Sequence, residues 1–208
     1  MPSPEALLEV TPYVAAWSEE QAPMPTLVER AGRIAYQREG LFDRDRYGVL
    51  WARTPMRPGK GRPDFARVHP LRQRRAMEKL LCQVCAKPAD RSEEGTLWLL
   101  IDRRGDWPDW PAAAAVLEPP VCLLCALVSL RYCPALRESA VAVRVRTSHV
   151  IGVYGVLYKP GPLHPVPVGV ETVRYSDPRV RWVQAERLAR ELSECTVKPA
   201  EAITDLTV

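Results

Sequence analysis

Cys82-Gln83-Val84-Cys85 and Cys122-Leu123-Leu124-Cys125 are the stretches whose reading decides the fold. A gap of two residues lets both sulfurs of a pair turn toward one ion, so two such pairs supply the corners of a closed tetrahedral site. An all-thiolate set favours zinc, or iron and sulfur, over hard cations. The expected cofactor is therefore one structural Zn2+ held by Cys82, Cys85, Cys122 and Cys125. Such a site leaves no open position for a substrate, and it speaks to architecture before activity.

Working outward, the knuckle is preceded by a helix expected over Leu71–Leu81. Pro70 suits its first position, and Met77, Leu80 and Leu81 share one face. Arg72, Arg75 and Lys79, three and four residues apart, are expected on the opposite face. After the knuckle, Thr96–Ile101 is an apolar run with the length of a buried strand, and Ala112–Leu117 is a second strand or a short helical segment. Pro119-Pro120 then sets up a helix over Val121–Tyr132 that carries Cys122 and Cys125 in its first turn, where exposed amide dipoles favour thiolate. Knuckle, hairpin and helix-borne ligands make a treble-clef-like module.

Upstream, residues 1–25 read as a proline-rich arm with a short helix over Pro4–Glu9 and a lone Trp17 to tack it down. Thr26–Arg38 reads as an amphipathic helix with Leu27, Ala31 and Ile34 on one side. Tyr47–Arg53 is rich in strand formers, and Thr54–Arg62 reads as a mobile basic loop carrying Arg57, Lys60 and Arg62. Downstream, Val141, Val143 and Val145 alternate with polar neighbours, while Val150–Tyr158 and Val166–Tyr175 supply two further strands of an antiparallel sheet. Asp177-Pro178 is expected to start a helix that runs to Cys195 and covers one face of that sheet, with a frayed tail after Lys198. The fold class is thus α+β: a treble-clef-like zinc module with four cysteine ligands, joined to a small antiparallel sheet covered by a C-terminal helix. Its segments are an arm (1–25), a basic region (26–81), the zinc module (82–135) and the sheet with its helix (136–208).

A chain of 208 residues, 47% hydrophobic and 26% charged, is long enough for one filled core. The opening residues lack the positive end and apolar run of a secretory signal, and Glu118, Pro119 and Pro120 interrupt the most apolar stretch, so no membrane span and a cytoplasmic location are expected. In a reducing compartment, paired cysteines hold metal more often than they form disulfides. Cys133 and Cys195, left over, are expected to be buried helix residues. From Asp43 to Lys79 there are eleven Lys or Arg against four acids, which concentrates positive charge beyond the chain's net +4. That block is the footprint of a phosphate-rich partner, DNA or RNA, with Arg57, Lys60, Arg62, Arg72, Arg75 and Lys79 as the candidate contacts. The competing readings are ordinary solvated charge, and a small enzyme or accessory protein whose substrate pocket lies between the C-terminal sheet and a purely structural zinc module. No Walker loop, dinucleotide fingerprint or nucleophile–base motif is present, and the three histidines read as structural.

Arg75–Cys85 resembles the opening of an HNH endonuclease domain, and Pro119–Cys125 its closing helix. The resemblance implies a metal-dependent nuclease, yet its catalytic parts are missing. The expected Asp-His pair stands as Asp102-Arg103, and a guanidinium cannot accept a proton. The chain contains no asparagine, and Ala126 follows the last ligand where the family has a His. The resemblance therefore implies a degenerate, non-cleaving relative. The chain as a whole is similar to an uncharacterised actinobacterial group of zinc-knuckle proteins, through Asp43-Arg44-Asp45, Gly48–Arg53, His69–Arg74, Leu81–Cys85, Pro119–Cys125, Cys133-Pro134 and Tyr154–Tyr158. That group implies no activity.

Overall fold

A computed structural model describes residues 11–207, apart from 22, 24 and 108. The helix expected over Pro4–Glu9 lies outside the described residues. In chain order the strands are β1 (Ala15–Trp17), β2 (Leu27–Arg30), β3 (Arg33–Tyr36), β4 (Leu50–Trp51), β5 (Pro63–Val68), β6 (Arg91–Ser92), β7 (Gly95–Ile101), β8 (Ala115–Val116), β9 (Ala140–Lys159), β10 (Val166–Arg174) and β11 (Val183–Pro199). Three α-helices are described, α1 (Pro70–Lys79), α2 (Leu123–Tyr132) and α3 (Pro134–Ser139), with 3-10 turns at Ser18–Glu20, Pro178–Trp182 and Ala200–Thr207. The fold is mixed, mostly sheet with few helices. No helix among the described residues is long and apolar enough to cross a membrane.

The chain forms two compact units. Among the described residues one, the thiol unit, gathers residues 11–14 with Arg75–Val150 and those from Arg190 onward; the other, the arm unit, gathers Ala15–Arg74 and Ile151–Ala189. Three elements, α1, β9 and β11, pass from one unit into the other.

In the thiol unit β7 pairs antiparallel with the first part of β9, Trp98 facing Val143 and Leu100 facing Val141, while β6 pairs with β7's other edge. Successive side chains of a strand point to opposite faces, so β7 feeds two cores. Trp98 and Leu100 join Trp110, Val116, Val141, Val143, Val145 and Leu192; Leu97 and Leu99 join Cys82, Val121, Ala126, Ala142, Ala200 and Ile203. Gly95 permits the closest pairing at the head of β7, for a Cβ there would collide with the Val145 carbonyl oxygen. The C-terminal tail is not frayed at its start: Ala200 and Ile203 are buried in the second core.

In the arm unit β10 pairs with the later part of β9, and Gln184 and Ala185 of β11 run parallel to Leu50 and Trp51 of β4. Ile34, Tyr36, Leu50 and Tyr158 form its core. Two expected helices are absent. Residues 26–38 form a hairpin, β2 against β3, turning at Ala31 (φ 52°) and Gly32 (φ 70°). Two successive positive φ values match the twist of a two-residue hairpin turn, and the helix-like spacing of Leu27, Ala31 and Ile34 is coincidental. From Asp177, whose side chain accepts from the Arg179 N–H, only a 3-10 turn follows before β11 begins. Val183, Gln184, Ala185, Leu188, Ala189, Arg190 and Leu192 are all buried, so β11 is covered on both faces and lacks the two-residue alternation that betrays a strand. The two expected strands over 141–158 are one strand of 20 residues.

Candidate metal centre

The first thiol pair sits on a tight knuckle. Cys82 N–H donates to the Lys87 carbonyl (2.7 Å), Ala86 N–H donates back to the Cys82 carbonyl (2.9 Å), and Ala86 takes a left-handed φ of 59° to close the turn. The Val84 N–H points at the Cys82 sulfur (3.4 Å), a polar contact suited to a thiolate. Two backbone straps tie this knuckle down. Tyr13 and Val14 donate to Val84 and Gln83, and Gln83 N–H donates to the Pro120 carbonyl (2.9 Å), which fixes the knuckle beside the segment that delivers the second pair.

Cys122 is the N-cap of α2, in extended conformation with no side-chain capping bond, and Cys125 lies in the helix's first turn. All four sulfurs lie within 4.8 Å of one another, and no disulfide joins them. Zinc–sulfur bonds of about 2.3 Å place the edges of a tetrahedron near 3.8 Å. The Cys85 and Cys122 sulfurs are 3.8 Å apart. Cys82 is fully buried, the other three half-buried. The donor set therefore fits one soft or borderline cation held entirely by protein, without a carboxylate or imidazole among the four ligands.

Left as thiols, these groups disagree about their protons. Burial pushes the Cys82 thiol up, and burial with the neighbouring sulfurs does the same to Cys125. At Cys85 burial acts upward too, but the Lys87 backbone N–H and the adjacent thiols outweigh it and bring the group down. A coordinated dication removes the conflict, since it deprotonates every thiol it binds.

The two leftover cysteines differ from expectation. Cys133 caps the junction of α2 and α3, and Cys195 lies on β11, packed on the Trp98 core, where burial pushes its thiol up to about 11.

The basic block is divided. Arg57, Lys60, Arg62 and Arg72 belong to the arm unit, Arg75 and Lys79 to the thiol unit. Arg72 is not on a solvent-facing stripe: it is 1% exposed and grips the buried Glu20 with both arms, at 2.5 and 2.7 Å, while donating to the Ala15 carbonyl at 2.6 Å. The spacing of 72, 75 and 79 is right for one helix face, but a carboxylate arriving from residue 20 turns the first of them inward. Arg75 is exposed beside Tyr13, to whose hydroxyl it donates (3.1 Å), and Lys79 is exposed.

Arg57, Lys60 and Arg62 are exposed on a loop that is pinned at both ends. Arg57 N–H donates to Glu20 Oε1 (2.9 Å), and Arg62 exchanges backbone bonds with Ser18, its N–H reaching Ser18 Oγ and its carbonyl receiving the Ser18 N–H. Residues 57–67 hold four cations, the fourth being Arg67, and one acid, Asp64. Among the described residues, none of those four cationic side chains has an ion-pair partner.

Sequence reasoning overlooked a cleft of about 360 Å³ in the same unit, lined among others by Glu20, Arg53, Thr54, His69, Gln184 and Glu186. His69 is fully buried and donates through Nε2 to the Pro55 carbonyl (3.1 Å), and burial, with the nearby Arg72 charge, holds it below the usual histidine range. At the position expected for a nuclease Asp-His pair, Asp102 is held by Arg104, which pulls its carboxyl down to about 2, and Arg103 is exposed. No protein-family model, curated protein or solved structure matches this chain, so its functional reading rests on these geometries.

Proposed function

We propose that this chain is a zinc-stabilised, non-catalytic binding protein that meets the phosphate backbone of nucleic acid through the basic segment 57–67. The observation that carries the reading is the set Arg57, Lys60, Arg62 and Arg67, four exposed cations with no carboxylate partner among the described residues, three on the pinned loop and the fourth on β5. Surface cations are ordinarily screened or paired; a cluster left without ion pairs and ordered by backbone bonds is what phosphate positioning requires. Zinc is the ion we assign to the four thiols, in a treble-clef-like setting of knuckle, β6–β7 hairpin and α2, because a closed set of four thiolates suits it best. Arg103, standing where the resemblance would put a histidine base beside Asp102, supports binding without cleavage. On this reading Arg72 is a structural residue and leaves the contact set, and Arg75 and Lys79 are secondary.

A gel-shift titration at two salt concentrations tests this. Retention at low salt should fall steeply as salt rises. Replacing Arg57, Lys60 and Arg62 together by Ala should flatten the dependence of log K on log salt by about 0.7–0.9 for each lost phosphate contact. No retention of any nucleic acid at low salt would overturn it. A second reading, a small-ligand site, is favoured by the convergence of Thr54, His69 and Gln184 on the arm-unit cleft; a small molecule co-purifying with the intact protein and lost on Thr54→Trp would establish it.

A further inference from the structure

We propose, resting on the nucleic-acid reading above, that the basic segment 57–67 takes single strands in preference to duplex, with Phe65 as the surface on which an unpaired base stacks. The chain contains only two phenylalanines, and Phe65 is 56% exposed. Its position follows from an irregularity in β5. Asp64 pairs with Ala16 and Val68 pairs with Ala15, so residues 65–67 have no counterpart on β1 and bulge from the ribbon. Asp64 holds the bulge in shape, its side chain accepting the Ala66 N–H at 3.1 Å.

All three bulged residues, Phe65, Ala66 and Arg67, are exposed. A bulge re-aims side chains that a regular ladder would commit to its two faces, and such devices gather beside functional sites. Here it presents one aromatic ring and one unpaired guanidinium within three residues, immediately after Arg62. An aromatic face for a base and cations for the backbone are the two parts of a single-strand site. Ala66 and Arg67 also line the arm-unit cleft, which gives an unstacked nucleotide a recess to enter. A duplex offers Phe65 nothing equivalent, because its base faces are already stacked on each other.

Fluorescence anisotropy of the full chain with a labelled mixed-sequence oligonucleotide, presented single-stranded and as its duplex at low salt, decides the matter. The single strand should bind roughly tenfold or more tightly than the duplex, and Phe65→Ala should weaken it by about ten- to a hundredfold, the range of one base–aromatic stack. Phe65→Trp should preserve the affinity, and an unchanged thermal midpoint for both variants shows that the exposed ring was not needed for folding. Duplex binding equal to or tighter than single-strand binding, or a Phe65→Ala variant as tight as the parent while the Arg57, Lys60 and Arg62 triple variant is weak, overturns the single-strand proposal and leaves the backbone reading standing. Binding of neither form overturns both.

Discussion

The four thiols come in two pairs, each pair spanning four residues of chain, whereas Glu20 and Arg72 stand alone and are 52 residues apart. Each set is a polar centre of its own unit. The thiols gather a knuckle and a helix start around the place of one ion. The carboxylate and guanidinium gather β1, the 3-10 turn after it, the 52–62 loop and the start of α1, since Glu20 also accepts the N–H groups of Trp17 and Arg57. The difference lies in what completes each centre. A closed metal site draws its stabilisation from outside the chain, while an ion pair must offset its own desolvation with internal bonds. The second task is only partly done, for Arg72 Nε and His69 Nδ1 are buried without a hydrogen-bond partner among the described residues.

The sharpest way to break this contrast is to remove one thiol. Cys122→Ser should release the ion and unfold the thiol unit, because a structural site contributes on the order of 10 kcal/mol to folding. Metal analysis beside circular dichroism reads both losses, and a variant that keeps its fold without metal would show the centre to be ornamental. Next in size, Glu20→Gln should destabilise by about 3–5 kcal/mol in urea denaturation, since it strands a buried charge on Arg72. The double change Glu20→Gln with Arg72→Met should recover most of that loss. Failure to recover would mean the pair is held by more than mutual neutralisation.

Acid separates the centres further. Burial and the Arg72 charge depress His69, so the folded state binds fewer protons than the unfolded one below the ordinary histidine value of 6.5. Stability is therefore fully present above about pH 6.5 and declines as pH falls toward the folded-state value. Glu20 follows: burial acts to raise it, but its bonds from Arg72, Arg57 and Trp17 prevail, and it stays below the ordinary 4.5, so its contribution begins to fade only below that pH. Urea midpoints from pH 7 to 4 should fall in that order, and His69→Gln should flatten the first decline. The smallest effect belongs to the exposed pair Asp102–Arg104, whose 2.6 Å separation falls between the 2.5 and 2.7 Å contacts of the buried pair. Arg104→Ala should leave the denaturation midpoint unmoved while the Asp102 carboxyl, followed by NMR, rises from about 2 toward 3.8.

These same centres mark where the sequence could be read. Two Cys-x-x-Cys pairs announce a common cluster because each half is local, and the four sulfurs come together as the spacing implies. Nothing near Glu20 or Arg72 announces their union. Arg72 sits at a spacing that suits an exposed stripe, and only a tertiary contact assigns it to the interior. β11 misleads for a related reason: its Ala, Glu, Arg and Leu content favours helix, but pairing on both edges and cover on both faces override propensity. Phe65 left no periodic signal, since a bulge is defined by what its partner strand lacks.

The traffic of β9 and β11 between units bears on how the protein is made. Every ligand of the thiol cluster has left the ribosome once residue 125 is out, yet Arg190–Val208, which supplies Leu192, Ala200 and Ile203 to the cores of that unit, is translated well afterwards. The nascent chain can thus capture its ion long before the surrounding cores close. On the zinc reading, ion loading can precede completion of the fold, and a ribosome stalled near residue 180 would hold a loaded knuckle on an unfinished body.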